Sequence, residues 1–491
     1  MTSLNTHPTR TRLGRPLLRG SPGWKLLYGT AFLVLLGSPF PACARTVSFN
    51  AALNLALHAN PHYRIAQADQ EAARGRLITS QGRNLPHLAL ELSAERTNDP
   101  LGVLGERLSE GQASFADLGL GDYTGPASLA MIPPALNQPG YGTNYDTGIV
   151  MMVPLFESGA DQAAIQAARR SVSAAQARVI EARGHLIETV LADYDGVSVA
   201  RALNRSALAA EAAAKADYQL TGQLYAQGIV LASDLERAKA HWLELKADAR
   251  AAKARVQNEL EAFRSLIGLP LNAPVTPGLA VSPPPLSLTL EAMRERARID
   301  NPGLIALQER TRALSARLDQ AEDRRGPQVN LLLRHDWNAP SPSFRGPSNT
   351  IAAVVSWRFF NSGSLRGEID ETRARYRASR DALQAGKRHL DLAISELVRL
   401  IAVTHARLRA SREASREAAK AQHILRLRYR QGLATLNALI HAQARFARAQ
   451  ANTIRFGYGL ILAEAALRTD LDDWNPDALH PADPEPHRSI P

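Results

Sequence analysis

The sequence predicts a mainly α protein in which long coiled-coil helical hairpins carry a small sheet made of two strand pairs. Three observations support this. First, the chain is duplicated: Gly159 and Gly363 lie 204 residues apart, as do Gly228 and Gly432, while Asn60-Pro61 and Asn301-Pro302 lie 241 apart, as do Pro86 and Pro327. Second, each copy holds a proline-free run of about 67 residues, starting after Gly159 and after Gly363, long enough for a helix of roughly 100 Å. Third, four segments of about ten residues alternate in the manner of strands, the length a tilted strand needs to cross a bilayer.

Taken in order, residues 1–44 read as an export signal. A basic stretch ends at Lys25, an apolar one runs from Leu26 to Leu36, and Ala42-Cys43-Ala44 supplies a small-x-small cleavage pattern. Cleavage there removes Cys43, the one cysteine of the chain, so no disulfide or thiol chemistry is expected in what remains. The competing reading makes Cys43 a lipidated N-terminus. The first repeat is expected over 45–267. It opens with a short helix from Ser48 to Ala59, stopped at Asn60-Pro61 because proline disfavours helical geometry in the residue before it, and a second from His62 to Asn84.

Strands follow at about 87–97 and 144–156. Leu88, Leu90, Leu92 and Ala94 share one face, as do Tyr145, Thr147, Ile149, Met151, Val153 and Leu155. The Gly- and Pro-rich stretch between Thr97 and Thr143 has no periodicity and reads as a long loop. The long helix then runs from Gly159 to about Gln227. Its heptad Val172, Val179, Leu186 slips by four to Val190 and Val197, a stutter that locally unwinds a coiled coil. Its alanines (Ala163, Ala167 and Ala174 among them) permit close helix approach. A tip turn at 228–233 reverses the chain into a helix from Ser233 to Leu266. A Pro-rich linker occupies 268–287.

The second repeat, 288–470, has a helix from Leu304 to Arg324 and strands at about 328–338 and 350–360. In these, Val329, Leu331, Leu333 and Trp337 share a face, as do Ile351, Ala353, Val355, Trp357 and Phe359. A long helix from Ser364 to Arg430, a tip turn at 432–435 and a return helix from Leu436 to about Leu467 complete it. The Pro-rich tail, 471–491, is expected to be disordered.

Of the formal charge of +11, five positive residues (Arg10, Arg12, Arg15, Arg19 and Lys25) precede residue 45; the +6 that remains is spread along helices and reads as solvated faces, so nucleic acid is not an expected partner. No cysteine nucleophile, H-E-x-x-H or phosphate-binding glycine loop is present, so no catalytic residue, no metal site and no cofactor is assigned. Acid–base pairs such as Glu322 near Arg325 read as surface pairs. Four membrane strands cannot close by themselves, because open edges leave backbone groups unpaired in hydrocarbon at several kcal/mol each. Closure has to come from several chains, whose hairpins would then enclose a tube.

The strand-to-helix junctions Pro154-Leu-Phe-Glu-Ser-Gly159 and Arg358-Phe-Phe-Asn-Ser-Gly363, the paired Asn-Pro starts, the Tyr-x-x-Gly turns and Ser265-Leu-Ile-Gly-Leu-Pro270 together resemble the TolC-like outer-membrane efflux proteins. The resemblance covers nearly all of 46–470. It implies a homotrimer with a twelve-stranded β-barrel, closed only in the trimer, on a twelve-helix α-barrel that extends into the periplasm of a Gram-negative bacterium. It further implies outer-membrane lipid around the strands, a periplasmic membrane-fusion adaptor and an inner-membrane transporter as partners, and small molecules as cargo. An outlet for protein secretion is the alternative within that architecture, and a non-pore periplasmic coiled-coil scaffold the alternative outside it.

The resemblance also suggests a gate at the tips. Gly228, Ile229, Val230 and Leu231 match one adaptor-contacting turn, and Gly432, Leu433, Ala434 and Thr435 the other. Asp234 aligns with an acidic residue of the gate and Tyr429 with its tyrosine partner. Ala434 stands where a basic partner is expected, and Ala438 and His441 where carboxylates form a ring, so the gate is weaker or built differently, with His441 a candidate. The bland alternative is that Asp234 only serves the start of its helix. The polar-face charges Glu91, Glu95, Arg334, Asp336 and Arg358 are mixed in sign and identify no cargo.

Overall fold

The computed structural model describes residues 45–481. The export signal, Cys43 and the tail beyond 481 lie outside these residues. The first copy comprises β1 (Arg45–Val47), α1 (Phe49–Ala59), α2 (Pro61–Arg83), β2 (His87–Thr97), α3 (Pro100–Ser109), α4 (Pro134–Asn137), β3 (Gly142–Phe156), α5 (Ala160–Ala226) and α6 (Ala232–Leu266). The second comprises β4 (Val275–Pro277), β5 (Val281–Ser282), α7 (Leu290–Asp300), α8 (Pro302–Asp323), β6 (Gln328–Ala339), β7 (Pro347–Ser356), α9 (Ser364–Arg430), α10 (Leu436–Asp470) and β8 (His480–Pro481). No helix among the described residues is long and apolar enough to cross a membrane.

The duplication extends to the caps. Asn60 and Asn301 each accept a backbone N–H with Oδ1, from Tyr63 at 3.1 Å and from Leu304 at 2.9 Å, and each precedes a proline at the first helical position. Ser48 and Thr289, again 241 apart, accept from Ala51 and Ala292. Gly268 and Asp472, 204 apart, both take left-handed backbone just past a 35-residue helix. The two offsets differ by 37 because the connection between β2 and β3 is that much longer than the one between β6 and β7.

The four long strands form one antiparallel sheet in the order β2-β3-β6-β7. The register aligns Leu88, Met151, Leu333 and Ile351 in one row, giving the sheet an apolar face that is open to its surroundings (Leu88 is 73% and Ile351 75% exposed). The helices continue this order. Helix α5 packs against α2 and α6 and also against α8 and α10, and α9 packs against α8 and α10. The chain is therefore a wall bordered by β2, α2 and α6 on one side and by β7 and α9 on the other.

Midway along the wall, α5 is buried by α1, α6 and α10. Leu186, Val190 and Val197 sit in this core, so the stutter coincides with the place where α5 exchanges a two-helix seam for burial on several sides. Phe49 and Phe263 meet Tyr194 edge to face, with ring centroids 5.6 and 5.8 Å away, a geometry that adds about 0.5–1.5 kcal/mol per pair beyond area burial.

Several expectations are corrected. The segment 97–143 is not without structure: Asp99 caps α3 through the Gly102 N–H at 2.8 Å, and Gly102 and Gly105 had blurred its periodicity. The linker 268–287 forms β4, parallel to β1, and β5, antiparallel to β8. The tail is ordered as far as 481, where β8 pairs with β5 and the Trp474 indole donates to Thr469 at 3.0 Å. Helix α7, unpredicted, occupies the position matching α1. Strand β7 stops at Ser356 because its partner begins at Gln328, leaving Trp357 and Phe359 beyond the strand. Glu322 bonds Arg373 of α9 at 2.7 Å rather than Arg325.

Each strand-to-helix junction turns on two consecutive left-handed residues, Ser158-Gly159 and Ser362-Gly363. Gly159 has φ of +95°, and a Cβ there would stand 2.8 Å from Asp323 Oδ2. Gly159→Ala is therefore expected to destabilise the folded chain by about 1–2 kcal/mol from the left-handed backbone alone. A lowered unfolding temperature would show it; an unchanged one would contradict the strained turn.

Candidate functional site at the helical tips

Both hairpins end in the same left-handed turn. The Ile229 N–H donates to Leu224 O at 2.9 Å and the Gly228 N–H to Tyr225 O at 2.9 Å; in the second copy Leu433 donates to Arg428 O at 2.9 Å and Gly432 to Tyr429 O at 3.0 Å. These bonds satisfy helix-end carbonyls and require positive φ, +73° at Gly228 and +71° at Gly432. The turns present Ile229, Leu231 (70% exposed) and Leu433 (73% exposed) outward. Val230 and Ala434 instead pack on a small core of Leu224, Ala238, Tyr429, Leu436 and Leu439. Thr435 caps α10 through the Ala438 N–H at 3.3 Å.

Within the chain, Asp234 and Tyr429 have different partners. Asp234 lies in the first turn of α6, where its charge suits the helix dipole, and Arg237 Nη1 stands 3.9 Å from it. Tyr429 is buried, with its hydroxyl 2.7 Å from Thr221 Oγ1. Because the Thr221 hydroxyl spends its one proton on Asp217 O at 2.7 Å, the phenol is the donor. Burial raises the Tyr429 phenol above its ordinary range, the Asp234 and Asp217 charges add to this, and the Thr221 bond opposes it. His441 is exposed on α10.

Sequence reasoning missed the centre of this site. Asp217 is 4% exposed, on α5, and its carboxylate holds two side chains of the second hairpin: Arg426 Nε of α9 donates at 3.1 Å, and Gln443 Nε2 of α10 donates to the other oxygen. The contact therefore ties three helices from both copies. Asp217 is the buried member and Arg426 the part-exposed one, so loss of Arg426 would leave a buried carboxylate held by Gln443 alone. A signal was present: Asp217 lies seven residues before Leu224, an acid on the apolar seam. Farther round the tip, Arg237 Nη1 donates to Asn437 Oδ1 at 3.1 Å, linking α6 to α10.

At the opposite end of the helices, the junctions surround a concavity of about 580 Å³ lined by Pro154, Glu157, Arg324 and Arg358 among others. It lies on the side of the sheet opposite the apolar row. No group of three or more metal-ligating side chains occurs among the described residues.

A family model described as outer membrane efflux protein matches residues 52–269 and 293–471. No curated protein matches the chain. Among solved structures, the fold is similar to the outer membrane protein VceC of Vibrio cholerae, at 18% identity over 86% of this chain and 95% of that one, with a TM-score of 0.71. It is similar to the CmeC outer membrane channel of Campylobacter jejuni, at 14% identity over 87% and 85%, TM-score 0.71. It is also similar to the MtrE outer membrane channel of Neisseria gonorrhoeae, at 17% identity over 86% and 88%, TM-score 0.67. At such identities the neighbours bear on the fold alone, whereas the family match spans both copies. The chain belongs to the outer membrane efflux protein family.

Proposed function

We propose that three copies of this chain form a duct that carries small molecules from the periplasm to the exterior, as the exit of a tripartite efflux system in a Gram-negative outer membrane. The observation that carries this reading is the sheet, whose four strands expose an apolar face and end at two unpaired edges, β2 and β7. In lipid each unpaired backbone group costs several kcal/mol, so β7 of one copy has to meet β2 of the next. Because the helices follow the strand order, the same step joins α9 to α2 and α6 and gives twelve strands on a tube of roughly 100 Å.

The exposed tip turns 228–231 and 432–435 suit a periplasmic adaptor, which couples the duct to an inner-membrane transporter. The gate lies where the tips converge. Asp217 holds the second hairpin to the first, Tyr429 and Thr221 brace it, and the part-exposed Asp234 and the exposed His441 are available to neighbouring copies. Purified chain in detergent is expected to migrate as an assembly of three that falls to one on heating, and to form channels in planar bilayers. A monomer that stays soluble without detergent would overturn this reading.

A further inference from the structure

We infer that the strand-lined section of the duct selects for cations, and that one guanidinium, Arg334, organises the carboxylates that impose this. The inference rests on the duct reading above, which makes the face of the sheet opposite Leu88 and Ile351 the lumen wall. On that face the register places Glu91, Gly148 and Asp336 in one row and Ser93, Asp146 and Asn338 in the next. Arg334 reaches across three adjacent strands. It donates to Glu91 Oε2 of β2 at 3.1 Å, to Asp146 Oδ2 of β3 at 2.8 Å and to Asp336 Oδ1 of β6 at 2.5 Å.

The arrangement is built into the wall. Gly148 lies under it, and a Cβ there would stand 2.6 Å from Asp336 Oδ1 and 3.3 Å from Arg334 Nη2. Any larger residue at that point would push the cluster off the sheet. One positive charge faces three negative ones, so each protomer keeps an excess of two, and Glu95 two rows higher on the same face adds another. Asp146 Oδ1 is buried without a hydrogen-bond partner, an acceptor left over after the guanidinium is used. At the strand-to-helix junction, by contrast, Arg83, Arg324 and Arg358 face Glu157, Asp161 and Glu368 in equal number. At the tip, Ala434 and Ala438 carry no charge, and Asp234 stands beside Arg237.

Three copies bring at least six uncompensated carboxylates around one lumen. A charged ring in a low-dielectric wall concentrates counter-ions, and the effect fades as salt shortens the Debye length from about 10 Å at 0.1 M to about 3 Å at 1 M. Reversal potentials across planar bilayers holding the full-length assembly, under a potassium chloride gradient, test this. The expected result is a potassium-to-chloride permeability ratio several-fold above one at 0.1 M and smaller at 1 M. The ratio should fall at least twofold in Glu91→Gln with Asp146→Asn, and rise in Arg334→Gln. Heat-modifiable migration of each variant confirms that it still assembles. A ratio at or below one, or one that these variants leave unchanged, overturns the assignment while leaving the duct intact. Failure of the unaltered chain to conduct at all overturns the duct reading and this inference with it.

Discussion

Asp217→Ala is expected to raise single-channel conductance several-fold, and more than Asp234→Ala does. Asp217 is the point where α5 meets both helices of the second hairpin, and its removal leaves Arg426 and Gln443 without their shared acceptor. Arg426 is part-exposed, so its lost pairing is softened by water, and a cost of roughly 1–3 kcal/mol to the closed tip is the appropriate scale. That is enough to shift a two-state gate by a factor of five or more, since about 1.4 kcal/mol is tenfold in population. Asp234, part-exposed and with its cation 3.9 Å away, gives up only tenths of a kcal/mol within one chain. Conductance of the two variants in planar bilayers decides the matter. An Asp217→Ala channel that conducts like the parent, or an Asp234→Ala channel that conducts more, would place the closing contacts between copies instead.

The second large effect is a stability that declines as pH rises through the neutral range. Asp195 is 1% exposed on α5; its Oδ1 accepts the Val281 N–H at 3.0 Å, and its Oδ2 is buried without a partner. Burial pushes this carboxyl up to about 7, with the Val281 bond opposing, and Asp193 beside it goes up to about 6 through burial and the nearby Glu259 charge. An unfolded aspartate titrates near 4, so between about pH 4 and pH 7 the folded chain binds more protons than the unfolded one. Stability is therefore highest at the acid end of that window and falls as pH rises through it, by about 4 kcal/mol for Asp195 at full effect. Asp195→Asn keeps the oxygen that Val281 needs and removes the titration. The temperature at which the assembly dissociates should be lower at pH 8 than at pH 5 in the parent, and this difference should shrink markedly in the variant. An undiminished difference would mean that Asp195 is not the group responsible.

Some of this is local chemistry visible in the chain. Asn-Pro, Ser and Thr caps and the paired glycines act within three or four residues of themselves, so helix ends and left-handed turns could be read to within a few positions. Strand alternation could be read as well, because side chains alternate between faces whatever the strand pairs with. Helix α3 escaped for an equally local reason: two glycines in ten residues dilute its periodicity.

The contacts of the tip site were not legible in the same way. Along a helix of 67 residues rich in alanine, many positions look equivalent, and nothing nearby distinguishes Asp217 from a surface acid except its place on the seam. Its partners lie 209 and 226 residues away, and Thr221 is 208 from Tyr429. Tyr429 was identified by its turn, but its partner was not, because the choice between Asp234 and Thr221 depends on how α9 rolls against α5. The tail misled for a related reason: its prolines forbid a helix but not the short pairing of β8 with β5, about 200 residues earlier in the chain.

By itself the sequence determined the repeat, the lengths of the helices and the two faces of each strand, all consequences of periodicity and backbone sterics acting over short separations. Only the tertiary structure decided which polar groups are enclosed and with whom: Asp217 with Arg426 and Gln443, Asp195 with Val281, Arg334 with carboxylates from three strands. Burial turns an ordinary charge into one that has to be paired, and burial is a property of how distant segments meet.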